Sequence, residues 1–349
     1  MTDTLHEGLL YESRPGGKVR CRVCPRLCVI AEGKLGICRT RKNVGGKCYT
    51  LTYGKTISVA ADPIEKKPLF HFHPGTSVLS LGGLGCNMRC IHCQNWQIAH
   101  ADAQEEGDQM RVLPAQKLPQ IAKQNDCAGV AWTYNEPTIW LEYALEGALA
   151  CHENGLYTAF ITNGYITSEA LDIIGPHLDA YRVDIKGWRP ETYKFLAKVN
   201  DVTPIFEAAV RAKKDHGCHV EIVTNIIPTV NDDEETLRSI AAWVARELGD
   251  KTPWHVTRFF PYMELSHLPP TPIETLERAM AIGHAEGLKF VYIGNVPGHE
   301  GENTVCPQCR RVVIRRDGYL IRDMKVEAGY CTFCGEDLKI VQSVGSGGS

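Results

Sequence analysis

No run of apolar residues in this 349-residue chain approaches the ~18 needed to cross a bilayer, so no membrane partner is expected. An excess of one charge is also missing. The 38 Lys and Arg stand against 41 Asp and Glu, a net charge of −3. That balance removes the general argument for a polyanion-binding protein and leaves room only for a local basic patch. Met1 to Pro15 carries acidic residues and no apolar centre, so no export signal is read there and a cytoplasmic location is expected. No internal repeat is visible.

Cysteine, in contrast, is abundant: there are 15. Most fall into three tight groups: Cys21, Cys24, Cys28, Cys38 and Cys48; Cys86, Cys90 and Cys93; and Cys306, Cys309, Cys331 and Cys334. Gaps of two and three residues bring thiolates within reach of one metal centre and suit unstrained disulfides poorly. A long chain without an export signal is also the wrong setting for a disulfide scaffold. The reading is up to three metal centres. Cys127, Cys151 and Cys218 stand alone and are expected as buried thiols.

The chain divides by pattern. Residues 1–70, rich in Gly, Pro and charge, read as a loop-like Cys-rich metal-binding extension. Over 71–299, short apolar runs alternate with amphipathic stretches. Candidate strands are Ser77–Leu81, Gly129–Thr133, Thr158–Thr162, Ala180–Ile185, Val220–Asn225, His255–Phe260 and Phe290–Ile293; candidate helices include Leu141–Asn154, Glu235–Leu248 and Ile273–Glu286. Such alternation predicts an α/β fold of parallel units, a partial (β/α)6-type TIM barrel, with chemistry at the C-terminal strand ends. Residues 300–343 read as a zinc-ribbon-like module whose hairpin turns at Asp317-Gly318, and 344–349 as a flexible tail.

The middle cysteines lie in Gly82-Gly83-Leu84-Gly85-Cys86-Asn87-Met88-Arg89-Cys90-Ile91-His92-Cys93-Gln94-Asn95-Trp96, directly after the first strand. Three thiolates spaced C-x3-C-x2-C can hold three irons of a 4Fe–4S cluster and leave the fourth open to a substrate or cofactor. Spacing alone also admits a zinc knuckle with His92 as fourth ligand; the position after a β/α strand favours the cluster.

At these residues the sequence resembles the radical S-adenosylmethionine (SAM) superfamily, in which SAM is chelated to such a cluster and reductively cleaved to a 5′-deoxyadenosyl radical. Further motifs are similar to those of glycyl-radical-enzyme activases, among them the pyruvate formate-lyase activating enzymes. Tyr134-Asn135-Glu136-Pro137 follows the second strand, Thr162-Asn163-Gly164 ends the third, Asp184-Ile185-Lys186 the fourth, and Cys93-Gln94-Asn95 closes the cysteine loop. The resemblance implies SAM contacts by Asn95, Glu136, Asn163, Asp184 and Lys186. Thr224 and Asn225, at a later strand end, are added as cofactor-binding candidates, and Arg258 and Tyr262 as residues facing SAM or substrate. Two departures are plain: Tyr134 and Asn135 stand where the family has glycines, and Ile161 where the activases carry an acid.

The outer groups narrow the resemblance. Cys21-x2-Cys24-Pro25-x2-Cys28, leading to Gly33-x2-Gly36-x-Cys38, precedes the loop, and Tyr292-x-Gly294-Asn295-Val296-Pro297-Gly298 follows the barrel. This order looks like the AmmeMemoRadiSam radical-SAM group, which implies Memo-like and AMMECR-like proteins as partners. Cys306-x2-Cys309-x21-Cys331-x2-Cys334 is a four-thiolate zinc signature. Its spacing also accepts rubredoxin-type iron. Cys21, Cys24, Cys28 and Cys38 suit zinc or an auxiliary 4Fe–4S cluster, with Cys48 spare. Six basic residues from Arg310 to Lys325 make the ribbon the one candidate surface for nucleic acid.

The function expected is therefore a radical SAM enzyme that abstracts hydrogen from an unidentified substrate, supplied with electrons by a flavodoxin- or ferredoxin-type donor. Alternatives are an activase acting on a partner protein, RNA or peptide modification, and a zinc-bound adaptor without catalysis. The residues name the initiator and leave the target open.

Overall fold

A computed structural model describes residues 5–342 of the chain. The tail read at 344–349 lies outside the described residues. In chain order the main elements are β1 (Ser77–Gly82), α1 (Leu118–Gln124), β2 (Cys127–Trp132), α2 (Leu141–Glu153), β3 (Tyr157–Thr162), α3 (Ser168–Ile174), β4 (Ala180–Asp184), α4 (Pro190–Ala197), α5 (Thr203–Lys214), β5 (His219–Ile226), α6 (Glu234–Trp243), β6 (Trp254–Arg258), α7 (Ile273–Ala285), β7 (Val291–Gly294), β8 (Val312–Asp317) and β9 (Leu320–Met324). Each predicted strand is present within one or two residues of its expected ends. Among the described residues no helix is long and apolar enough to cross a membrane.

Two compact units emerge. The first gathers Met1–Ala61, Val78–Tyr181 and Lys194–Cys218; the second gathers Asp62–Ser77, Arg182–Tyr193 and His219–Ser349. In the first, β2 and β3 pair in parallel from Gly129↔Tyr157 to Trp132↔Phe160. All six residues of β3 are buried, as expected of a parallel strand covered on both faces. Gly129 is required there. A Cβ at that position would fall 2.1 Å from the Tyr157 ring, so only glycine lets the two strands pair. In the second unit β5, β6 and β7 are parallel neighbours, paired from Ile222↔Trp254 to Ile226↔Arg258 and from Trp254↔Val291 to Thr257↔Gly294.

Helix starts follow local chemistry. Thr167 caps α3 by accepting the amide of Ala170 at 3.2 Å, and Asp233 caps α6 by accepting that of Thr236 at 3.0 Å. The helix expected over Glu235–Leu248 divides: α6 ends at Trp243 and the chain widens into a π turn over Val244–Leu248, stopped by Gly249 at φ 96°.

The N-terminal extension is more ordered than its composition suggests. Tyr11–Arg14, Lys18–Cys21 and Val29–Ile30 form one antiparallel sheet; His6–Glu7, Lys47–Thr50 and Arg41–Val44 form another. Strands of two to four residues are too short to leave a readable alternation. What fixes them is long-range: buried Arg41 makes a two-pronged ion pair with Glu142 of α2, at 2.6 and 2.7 Å, and also donates to Ile139 O at 3.1 Å. Glu142 in turn accepts the amide of Leu9 at 2.9 Å.

Candidate functional site

The loop after β1 carries Cys86, Cys90 and Cys93 and is fixed chiefly by its own main chain. Asn135, one residue past Tyr134, straps it from above: its Oδ1 accepts the amide of Gly83 at 3.1 Å and its Nδ2 donates to Gly85 O at 2.8 Å. The amides of Arg89 and Ile91 donate to Ala197 O at 3.1 Å and Leu196 O at 2.9 Å. Arg89 reaches Ala99 O at 3.1 Å and Ile37 O at 2.5 Å through its guanidinium. Gly83 lies on the indole of Trp140, and Gly85 takes φ 83°. The loop is thus preorganised by hydrogen bonds that leave all three thiols uncommitted to a disulfide.

Cys86 is buried; Cys90 and Cys93 are partly exposed. Burial, the nearby Glu136 carboxylate and Cys90 together push the Cys86 thiol well above its ordinary range. A thiolate there needs a cation beside it, which is what iron supplies. Two donors already face the Cys86 sulfur: the amide of Met88 at 3.4 Å and Nδ2 of Asn163 at 3.7 Å. The donor set therefore fits a three-cysteine cluster site.

Around this loop the first unit assembles three of the predicted residues. Asn95 donates from Nδ2 to Tyr134 O at 2.7 Å. Asn163 donates to Asn87 Oδ1 at 2.9 Å, and Asn87 donates onward to Tyr165 O at 2.7 Å. Glu136 is fully buried: Oε1 accepts from the Thr138 amide at 2.9 Å and the Thr162 hydroxyl at 2.6 Å, and Oε2 from the Asn163 amide at 2.8 Å. Burial outweighs these donors and raises its pKa. Its carboxylate ties the ends of β2 and β3 together, while the backbone beside it faces the loop. Tyr134, standing in place of a glycine, adopts φ 71°, a conformation that disfavours a tyrosine and is held by the Asn95 bond.

In the second unit, Asp184 at the end of β4 lies between Arg182 and Lys186, the latter at 3.1 Å. Burial by itself would raise the Asp184 pKa; the two cations outweigh it and hold the carboxyl below its usual range. Arg182 is fixed by donating to Lys67 O at 2.7 Å, and Lys186 O accepts from Asn231 at 2.9 Å. Thr224 is fully buried and its hydroxyl accepts from the Trp254 indole at 3.0 Å; Asn225 is partly exposed and donates to Thr257 O and Oγ1, both at 3.2 Å. Arg258 donates to Thr271 O at 2.9 Å, and Tyr262 is exposed.

The ribbon cysteines meet as expected. Cys306 and Cys334 sulfurs are 3.6 Å apart, Cys309 and Cys331 3.8 Å, and all four lie within 4.8 Å of one another. Two knuckles present them, each with a left-handed residue: Arg310 at φ 60° and Gly335 at φ 78°. Tetrahedral zinc with bonds of about 2.3 Å requires this spacing. One basic residue leaves the solvated face. Arg316 is buried with its guanidinium 4.0 Å from the Phe70 ring, donating to Phe70 O at 2.9 Å and Thr304 Oγ1 at 2.8 Å. Arg322 and Lys325 pair with Asp317 and Asp323. The isolated Cys127, Cys151 and Cys218 are buried thiols.

Sequence reasoning missed Asn87, Asn135 and Arg89, whose roles lie in side chain to main chain bonds across the fold. It missed the second unit's buried polar cluster too. Glu221 accepts the amides of Phe70 and His71 at 3.0 and 2.7 Å and the rings of His219 and His255 at 2.9 and 2.6 Å. His71 is held in the same cluster, bonding Tyr292 Oη at 2.6 Å and Leu338 O at 3.1 Å.

A three-cysteine loop after the first strand, within a parallel α/β array, is the arrangement of one enzyme superfamily. The chain belongs to the radical SAM superfamily, whose profile matches residues 81–240. It is an enzyme with the α/β fold and partial barrel-like sheet of that superfamily, which implies a 4Fe–4S cluster and SAM. It is 44% identical over 341 residues to an uncharacterised protein of Methanocaldococcus jannaschii, covering 97% of this chain and 100% of that one. It is 25% identical over 189 residues to the pyruvate formate-lyase-activating enzyme of Clostridium pasteurianum, covering 52% of this chain and 77% of the relative. In fold it is similar to a radical SAM methyltransferase from Sphaerobacter thermophilus, with TM-score 0.50 over 65% of this chain and 70% of that one, at 15% identity.

Proposed function

We propose that this enzyme cleaves SAM reductively at a 4Fe–4S cluster held by Cys86, Cys90 and Cys93 and uses the resulting radical to take a hydrogen atom from its substrate. The observation that carries the reading is the preorganised loop itself: three cysteines outside any disulfide at a strand end, with hydrogen-bond donors aimed at the Cys86 sulfur. The cluster, when bound, supplies the electron and chelates SAM through its open iron.

The chain's own residues position SAM. Asn95 and Asn163 lie beside the loop, and Glu136 sets the backbone between them; the Lys186 cation, steadied by Asp184, suits the SAM carboxylate. Asn225 offers a further polar edge, and Thr224 supports its strand from beneath. Within this reading the likeness to pyruvate formate-lyase-activating enzyme favours action on a glycine of a partner protein, with a flavodoxin- or ferredoxin-type donor. The order of the modules favours the AmmeMemoRadiSam group, with Memo-like and AMMECR-like partners. The ribbon tetrad suits zinc.

The test is anaerobic reconstitution followed by dithionite. Cleavage of SAM to 5′-deoxyadenosine by the full chain, abolished when Cys86, Cys90 and Cys93 are replaced by Ala while ribbon zinc is retained, supports the reading. A protein that holds only zinc and cleaves no SAM overturns it. Deuterium transfer from candidate substrates into 5′-deoxyadenosine would then identify the hydrogen donor.

A further inference from the structure

The N-terminal cysteines face each other from two tight turns. In the first, the Cys21 amide donates to Cys28 O and the Leu27 amide to Cys24 O, both at 3.0 Å, with Leu27 in the left-handed region at φ 45°. In the second, the Arg39 amide donates to Gly36 O at 2.9 Å, and Arg39 takes φ 63°. The turns pack together: a Cβ on Gly36 would lie 3.7 Å from the Cys28 Cβ.

The Thr40 hydroxyl donates to the Cys38 sulfur at 3.2 Å. A donor on the sulfur stabilises an anionic thiolate ligand. Cys48 is buried.

The spacing of these sulfurs separates the two metals. The ribbon tetrad, built for a single ion, draws its sulfurs within 4.8 Å; among the described residues, the N-terminal group does not meet that spacing. One tetrahedral ion of bond length about 2.3 Å cannot reach ligands held further apart, and a four-iron cluster can.

The turn bearing Cys38 is also in contact with the loop bearing Cys86. A Cβ on Gly85 would lie 2.4 Å from Cys38 O and 2.6 Å from Thr40 Cγ2, so glycine permits direct backbone contact one residue before Cys86. Arg26 donates to Asn87 O at 2.9 Å, and Arg89 to Ile37 O at 2.5 Å. Both bonds bridge the two cysteine groups, and both bring a guanidinium between them. Positive charge at that seam favours the reduced state of a neighbouring cluster.

We infer that Cys21, Cys24, Cys28 and Cys38 hold a second iron–sulfur cluster that relays single electrons to the cluster on Cys86, Cys90 and Cys93. The inference rests on the proposed cluster at that loop. In each relay step a low-potential one-electron donor of the flavodoxin class is oxidised by one electron. The second cluster is reduced by that electron and passes it on; no bond forms or breaks and no proton moves.

Metal content of the anaerobically reconstituted full chain tests the site without any substitution. Eight irons and one zinc per chain are expected. Four irons and two zincs overturn the inference and leave the proposed function standing; no iron overturns both. A Cys24→Ser, Cys28→Ser double variant tests the relay, with ribbon zinc and far-ultraviolet circular dichroism reporting that it has folded. It should lose about four irons and one set of cluster signals in electron paramagnetic resonance. Its 5′-deoxyadenosine production with reduced flavodoxin should fall at least tenfold further than with dithionite. Equal losses with the two reductants overturn the relay. For the unsubstituted chain, rapid freezing after mixing with reduced flavodoxin should show one cluster reduced before the other; simultaneous reduction also overturns it.

Discussion

The carboxylate of Glu136 accepts the main-chain amide of Asn163 at 2.8 Å, and with it the hydroxyl of the preceding Thr162. One buried side chain thereby fixes the end of β3 against the end of β2 and aims Asn163 at Cys86. Replacing Glu136 by Ala leaves three donors without their partner. We expect a stability loss of about 2–4 kcal/mol. Glu136→Gln should recover part of it, since only one amide oxygen remains to accept. Denaturant unfolding of the reconstituted enzyme measures both.

Asn163→Ala removes the donor to Asn87 and the contact to the Cys86 sulfur while leaving all cysteines in place. Iron content should be unchanged, and 5′-deoxyadenosine formation should fall by about tenfold, the size expected for one lost charge-assisted or positioning hydrogen bond. Iron loss in step with activity would show that Asn163 acts on cluster retention instead.

Arg41 and Glu142 form a two-pronged ion pair whose side chains are each 2% exposed. Arg41→Ala or Glu142→Ala strands a buried charge, and each should destabilise the first unit by about 3–5 kcal/mol. The double change Arg41→Met, Glu142→Leu should restore most of that loss, because both charges leave together. Thermal unfolding of the three variants measures the loss and its recovery.

Acid should act on the second unit through its buried imidazoles. Burial lowers the His71 pKa to about 3 and lowers that of His255, so both are neutral when folded at neutral pH. Unfolded, they bind protons below about pH 6.5. The unfolded state therefore binds more protons, and stability falls as pH drops from about 6.5 towards the folded values, by about 1.4 kcal/mol per pH unit for each histidine. Glu221, held well below its usual range because its histidine partners outweigh burial, adds a loss below about pH 4.3. A His71→Asn variant should flatten the upper part of this pH dependence in equilibrium unfolding.

Cys309→Ser removes one of four sulfurs that lie within 4.8 Å of one another. One metal equivalent should be lost and iron retained. Proteolytic cleavage within residues 304–338 should rise, because the ribbon core around Cys306, Ile314 and Leu338 is small without its ion.

Much of this protein was legible in its sequence. Strands such as Tyr157–Thr162 announce themselves as short apolar runs because both faces are buried, and the spacing of Cys86, Cys90 and Cys93 states its chemistry locally. The ribbon tetrad is equally local, since two knuckles and a hairpin suffice to build it. Other features were beyond reach because their partners are far away in sequence. Arg316 looks like one more exposed ribbon cation until it is found over Phe70, 246 residues distant. The short N-terminal strands take their order from Arg41 meeting Glu142, 101 residues on. Sequence alone marked which cysteines are candidates for metal, because ligand type and spacing are properties of neighbouring residues. Tertiary structure alone decided that Gly85 touches Cys38, because packing brings together segments that no sequence period connects.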